Sequence, residues 1–219
     1  MGQALAVAVL ECVDLELLGI WKRGQEIGEI VPEADVVIDF SLPEGTERVL
    51  DAVMRCKKAL VCGVSGLSES TLALLDKAAA KIPLVYDRNM SLGVAVLERA
   101  VREAAASLGP EYEVQVSEVH HAHKIDAPSG TALKLGEAIA AARGEPGTGA
   151  VRFEVERRGD VAGEHGVLMA SATERLSFTH SVTTRQVFVD GALTAARWVK
   201  DKAPGRYSMQ DVLSADLIS

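Results

Sequence analysis

Two kinds of apolar run alternate along the first half of the chain. Residues 36–40, 60–64 and 84–86 are short, partly β-branched and bounded by Gly, Pro, Ser or charged residues, which is the pattern of strands buried on both faces of a parallel sheet. Between them, residues 43–57 and 68–81 carry apolar positions at helical spacing. Ser68 stands where an N-cap belongs, just ahead of Glu69 and Thr71. Strands alternating with helices predict a parallel α/β sheet. A helix over residues 3–12 and a further strand over residues 15–20 extend the pattern towards the N-terminus.

The second half reads differently. A longer helix over residues 91–108 leads to residues 113–120, where Val114, Val116 and Glu118 alternate with Gln115, Ser117 and Val119 in strand fashion. Residues 144–149 form a Gly- and Pro-containing loop, and residues 151–155, 167–170, 175–179 and 186–189 predict successive strands. Residues 191–199 return to helical spacing, and the tail after them could pack back on the first domain, which the sequence alone does not establish. The fold class is therefore α/β, a parallel domain followed by a second, sheet-rich α+β domain.

Composition narrows the partners. At 219 residues and 48% hydrophobic content the chain has enough for one large core or two modest ones. A net charge of −8 argues against nucleic acid, which selects basic surfaces, and favours a small-molecule partner. Cys12, Cys56 and Cys62 are odd in number and lack metal-site or CxxC spacing, which fits a reducing cytoplasm. No stretch approaches the roughly 20 apolar residues that span a bilayer, so no membrane partner is expected.

The densest chemistry lies in residues 118–133, Glu-Val-His-His-Ala-His-Lys-Ile-Asp-Ala-Pro-Ser-Gly-Thr-Ala-Leu. His120, His121, His123 and Lys124 gather three imidazoles and an ammonium within five residues, able to attract a dianion and exchange protons near neutral pH. The Pro-Ser-Gly-Thr turn precedes a helix at about residues 132–143, whose first N–H groups suit a carboxylate. Taken singly, each feature has a plainer reading, a solvated side chain or a helix cap. A metal reading is also open, since His121 and His123 are alternate residues and would share a strand face.

As a unit this run is similar to the signature of 4-hydroxy-tetrahydrodipicolinate reductases (dihydrodipicolinate reductases). The likeness extends over nearly the whole chain, through Val37 to Ser41, Gly63 to Gly66, Asn89 to Val94, Arg158-Gly159-Asp160 with Gly163-Glu164-His165, and Gly191 to Leu193 with Ala195 to Trp198. The resemblance implies reduction of 4-hydroxy-tetrahydrodipicolinate, on the route to diaminopimelate and lysine, with NADPH or NADH as hydride source. It implies proton-handling roles for His120 and Lys124, and substrate carboxylates held by His121, Gly130 and Thr131. It places cofactor contacts at Gly63, Val64 and Ser65 and at Arg88, Asn89, Met90 and Ser91, and expects no metal. Lys22 and Arg23, at the end of the strand expected over residues 15–20, occupy the position where dinucleotide folds read the ribose 2′ substituent, and two cations there predict a preference for NADPH, or at least no strong preference for NADH.

The resemblance further implies a Rossmann-like dinucleotide-binding domain over residues 1–91 plus 186–219, a substrate-binding and oligomerisation domain over residues 92–185, and a homotetramer. Met1-Gly2 aligns with the last two residues of the family's glycine-rich phosphate turn, so the dinucleotide-binding domain reads as N-terminally truncated, and a start upstream is expected. Two competing classes stay open: a non-catalytic relative with impaired cofactor binding, and a metal-dependent hydrolase using His121 and His123.

Overall fold

The computed structural model describes residues 1–22 and 24–215. The chain divides into two compact units, one of Met1–Leu92 with Gln186–Ser219, the other of Gly93–Arg185.

The first unit is built on four parallel strands, β1 (Val36–Asp39), β2 (Ala59–Cys62), β3 (Pro83–Tyr86) and β8 (Gly205–Tyr207), side by side in the order β1-β2-β3-β8. Leu60 and Cys62 of β2 and Leu84 of β3 join a cluster with Val49, Leu50 and Val53 of helix α2 (Pro43–Cys56) and Leu75 and Ala78 of helix α3 (Glu69–Ala79). The intervening Val61 and Val85 are also fully buried, and helix α6 (Gln186–Val199) packs against β1, β2 and β3. Apolar contact on both faces is the reason these strands read as unbroken apolar runs. Ser68 caps α3 as its position predicts, its hydroxyl accepting the Thr71 N–H at 3.1 Å.

Two expectations are corrected here. Residues 186–189, expected as a strand, form the first turn of α6. A four-residue run of Gln, Val, Phe and Val does not distinguish a strand from a buried helical turn. Continuation decides it, through Val189, Ala192, Leu193, Ala196 and Val199 at helical spacing. Residues 15–20 carry no strand either. Helix α1 (Gly2–Glu11) is present, but β1 lies at the edge of the sheet and no described strand stands on its open side to supply a ladder for these residues. Leu18 and Ile20 are exposed as a result. Lys22 therefore follows an irregular segment rather than a strand, in a turn closed by Gln25: the Lys22 N–H donates to Gln25 Oε1 at 3.0 Å and Trp21 Nε1–H to the Gln25 carbonyl at 2.8 Å. Arg23 lies outside the described residues.

The second unit is a mixed sheet of β4 (Glu113–His120), β5 (Val151–Arg157), β6 (Glu164–Ala170) and β7 (Arg175–Ser181), ordered β5-β4-β6-β7. β5 runs parallel to β4, whereas β6 and β7 are antiparallel to their neighbours. Val114 and Val116, with Val151, Val167 and Met169, face helices α4 (Leu92–Leu108) and α5 (Gly130–Ala142) through Leu97, Val101, Ala132, Leu135 and Ile139. A buried carboxylate, Glu98 of α4, links the helices by pairing with Lys134 of α5 at 2.9 Å as well as with Arg102 at 2.9 Å.

Candidate active site

The strand periodicity that builds the second core also ends it. Along β4 the buried positions are Val114, Val116, Glu118 and His120, so the apolar face becomes polar after two residues. The register carries the change across the sheet. His165 of β6 stands opposite Glu118, and His180 of β7 opposite His165. One row further on, Arg157 of β5 lies opposite His120. Five polar side chains from four strands thus meet at one end of the sheet.

Glu118 is 2% exposed and its Oε1 accepts two bonds, from the Ser129 N–H at 3.0 Å and from Arg157 Nη2 at 3.2 Å. Its Oε2 lies 3.4 Å from His120 Nδ1. The His120 and His165 rings meet edge to face with centroids 5.0 Å apart, and those of His165 and His180 are 6.4 Å apart. Gly163 makes room for His120, since a Cβ there would come within 3.3 Å of its Nε2. Burial pushes the His120 pKa down, Glu118 opposes this, and the charges of Lys124 and Arg157 add to the depression.

The loop after β4 is tied back to β5. The Ala122 N–H donates to the Gly159 carbonyl at 3.0 Å, and Arg157 donates to the Lys124 carbonyl at 3.2 Å and to that of Asp126. Lys124 Nζ then sits 2.7 Å from Asp126 Oδ1. Burial raises the Asp126 pKa, but the Lys124 ammonium and backbone N–H groups including Gly130's outweigh it and hold the carboxyl below its ordinary range. A carboxylate of the chain itself thus engages two of the groups that the sequence pattern offers to an anion. Ser129 caps α5, its hydroxyl accepting the Ala132 N–H at 3.1 Å, which starts the helix at Gly130, two residues ahead of the expected point. Thr131 is buried in its first turn and Gly130 half-buried.

His121 is half-buried and His123 exposed, with ring centroids 6.4 Å apart. β4 ends at His120, so these two histidines lie on a loop and share no strand face, which removes the basis for pairing them on a metal. Among the described residues, the group with ligand atoms close enough to be considered is instead Glu118, His120 and His165, all within 4.8 Å of one another. Arg157 already occupies one oxygen of that carboxylate. His165 and Arg157 received no role from sequence reasoning. The signal for His165 was present in β6, where His165, Val167 and Met169 share one phase.

Burial also pushes His165 down to about 3 from an ordinary 6.5, with the charges of His120, His180 and Lys124 adding to it. The folded chain keeps this imidazole neutral while the unfolded chain protonates it below 6.5. Its contribution is therefore whole above that pH and is lost as pH falls from 6.5 towards 3, at about 1.4 kcal/mol per unit, or about 3 kcal/mol by pH 4.5. His165→Leu should flatten this part of the acid response. Calorimetric Tm at pH 7 and pH 4.5 tests it, and an equal acid drop in both proteins refutes it.

In the first unit, the carboxyl ends of the parallel strands carry the segments expected to hold a dinucleotide. Gly63 follows β2 directly, its N–H donating to the Asp39 carbonyl at 2.9 Å, with Val64 buried and Ser65 exposed. After β3, Arg88 and Asn89 are half-buried and Met90 and Ser91 buried, and Asp87 accepts from the Asn89 N–H and the Met209 N–H, each at 3.2 Å. Asp39 Oδ2, at the end of β1, is buried without a hydrogen-bond partner, an acceptor that a hydroxyl-bearing ligand would satisfy. Open α/β sheets bind their ligands at this end of the strands, so these residues fit a nicotinamide dinucleotide.

A parallel α/β unit of this build, together with a mixed-sheet unit carrying a buried cluster of a carboxylate and imidazoles, defines a two-unit α/β oxidoreductase. The family described as "Dihydrodipicolinate reductase, N-terminus" matches residues 1–90 and "Dihydrodipicolinate reductase, C-terminus" matches residues 93–213. The chain belongs to the dihydrodipicolinate reductase family. It is 44% identical to the 4-hydroxy-tetrahydrodipicolinate reductase of Alkalilimnicola ehrlichii, over 90% of this chain and 82% of the relative. It is 39% identical to that of Zymomonas mobilis, over 97% of this chain and 92% of the relative. Dipicolinate-bound dihydrodipicolinate reductase from Paenisporosarcina sp. TG-14 shares the fold, with a TM-score of 0.75 at 19% identity over 96% of this chain and 94% of that one.

Proposed function

We propose that this chain reduces 4-hydroxy-tetrahydrodipicolinate to tetrahydrodipicolinate with NADPH or NADH, and that His120 and Lys124 manage the protons. The observation that carries the reading is the folding of residues 118–133 into one cluster: a buried imidazole, an ammonium held at 2.7 Å by Asp126, and a capped helix N-terminus. The cofactor, when bound, supplies the hydride. Lys124 and His120 exchange protons with the substrate, and an ammonium beside the Gly130 N–H stabilises negative charge that develops on a dicarboxylate ring as it accepts hydride. His121, Gly130 and Thr131 hold the carboxylates, displacing Asp126 from Lys124. Residues 1–91 plus 186–219 form the dinucleotide-binding domain, with contacts from Gly63, Val64, Ser65, Arg88, Asn89, Met90 and Ser91. Residues 92–185 form the substrate-binding and oligomerisation domain.

Two finer points belong to the same reading. The exposed Lys22, with Arg23, favours a 2′-phosphate and hence NADPH. Lys22→Glu should raise the KM for NADPH about tenfold, the worth of one charge-assisted hydrogen bond, while leaving that for NADH nearly unchanged. Equal changes for both cofactors would refute it. The sheet face turned away from α4 and α5 is proposed as the contact surface of a homotetramer, to be tested by light scattering. Among the described residues no helix is long and apolar enough to cross a membrane, and the three free thiols fit a cytoplasmic enzyme.

Oxidation of NADPH on addition of 4-hydroxy-tetrahydrodipicolinate tests the function directly. Calorimetry with NADPH and NADH, with and without pyridine-2,6-dicarboxylate, separates the two sites. Turnover supports the reading, and cofactor binding without turnover on this substrate overturns it.

A further inference from the structure

We infer that Glu118 is a positioning residue for His120, fixing its tautomer and supporting its charged form so that Nε2 is the atom that exchanges a proton with substrate. The inference rests on the reading of His120 as a proton-transfer group and deepens it.

The two residues are neighbours by strand geometry. Side chains two apart on a strand share a face, so the Glu-x-His spacing places both in the polar row of β4. Glu118 divides its carboxylate between two tasks. Oε1 is saturated by the Ser129 N–H and Arg157, which anchor the group and supply the opposite charge that a buried carboxylate needs. Oε2 has no hydrogen-bond partner, and neither has His120 Nδ1, 3.4 Å away. A small closure turns this pair of orphaned atoms into an Nδ1–H···Oε2 bond, a stronger one when the imidazole is charged. The arrangement has the logic of a carboxylate orienting a catalytic imidazole, in which one nitrogen is held by the acid and the other faces the reaction.

The groups around His120 leave Glu118 as its chief support. Cations face it from β5, as Arg157, and from the following loop, as Lys124. Asp126 is the other anion, and it is engaged by Lys124. From β6 comes His165, neutral at working pH, with His180 of β7 beyond it. Gly163, with no side chain, leaves the Nε2 side open. The same three groups, Glu118, His120 and His165, have ligand-like spacing. The Arg157 guanidinium on Glu118 and the Lys124 ammonium oppose a further cation there, so the cluster is better suited to holding a proton than a metal. In the transfer, the imidazolium Nε2–H bond breaks and a bond from that hydrogen to the substrate forms. Nδ1 keeps its proton, and Glu118 stays a carboxylate throughout.

Glu118→Gln tests this, because the amide keeps an oxygen for the Ser129 N–H and Arg157 while it removes the charge and replaces Oε2, the acceptor facing His120 Nδ1, by an NH2 donor. Activity that requires protonated His120 falls as pH rises through its pKa. Loss of a carboxylate within about 4–6 Å should move that limb to lower pH by about one unit or more. The kcat at pH 7.5 should fall about 100-fold, with the KM for substrate within about twofold. Glu118→Asp should restore part of the limb. In a His120→Gln background, Glu118→Gln should cost nothing further. An unshifted pH profile in Glu118→Gln, with His120→Gln inactive, overturns the positioning role. A fully active His120→Gln would instead refute the reading of His120 itself. The unmodified protein offers a test independent of any variant's folding: imidazole ¹⁵N shifts of neutral His120 should report the Nδ1–H tautomer, and the Nε2–H tautomer would overturn the proposal.

Discussion

Lys124→Ala should lower kcat by about 10²–10⁴-fold, about 3–5 kcal/mol on the barrier, the range for loss of a positioned proton donor. The side chain is 22% exposed and its Nζ is held 2.7 Å from Asp126. The ammonium is therefore ordered before substrate arrives, and little of its conformational entropy is left to lose on binding. Truncation removes both the proton and the positive charge. Lys124→Arg separates the two. Guanidinium keeps the charge but does not give up a proton in proteins, so this variant should still bind pyridine-2,6-dicarboxylate while its kcat stays low. Stopped-flow turnover and calorimetry on both variants provide the check. A Lys124→Ala protein with kcat within threefold of the original would remove Lys124 from the mechanism.

The parts of the molecule that were legible in the sequence are those where one local rule decides. The parallel strands around Leu60 and Leu84 were readable because burial on both faces leaves an apolar run between breakers, and the Ser68 cap because a hydroxyl before a helix has one dominant use. The two strands wrongly expected share a different cause. Residues 186–189 and 15–20 have strand-like composition, but a strand exists only by pairing. The first is claimed by the helical spacing that follows it, and the second has no described neighbour beyond β1.

At the candidate site, the motif of residues 118–133 exposed the imidazoles and the ammonium as a group. It did not show that Asp126 would engage Lys124, since that depends on how the loop is tied to Arg157 of β5. Nor did it show that His165 would close the cluster. That follows from an antiparallel register pairing residues 47 positions apart, Glu118 with His165, which no local pattern encodes.

Gly191→Ala should cost the first unit about 3 kcal/mol or more, the upper end of what overpacking does, and lower Tm by about 6–12 °C in a chain of this size. The position allows α6 to approach the loop after β3 more closely than any side chain permits: a Cβ on Gly191 would lie 1.7 Å from the Met90 carbonyl oxygen and 2.8 Å from its carbon. Both atoms are backbone, so no rotamer change relieves the clash. Either α6 or the segment around Met90 must move. α6 is pinned by Val189, Ala192, Ala195 and Val199, all at most 1% exposed. The Met90 segment is held by Asp87, which accepts from the Asn89 N–H on one side and the Met209 N–H on the other. Strain is therefore shared rather than released at a free end. Residues 88–91 are also proposed to contact the cofactor, so the same substitution should weaken NADPH binding while pyridine-2,6-dicarboxylate binding by the second unit is largely kept. Calorimetric Tm and titration with both ligands measure the two effects together. A Tm within about 2 °C of the original would show that the helix and loop yield more readily than their packing implies, and an unchanged NADPH affinity despite a large Tm loss would move the cofactor away from residues 88–91.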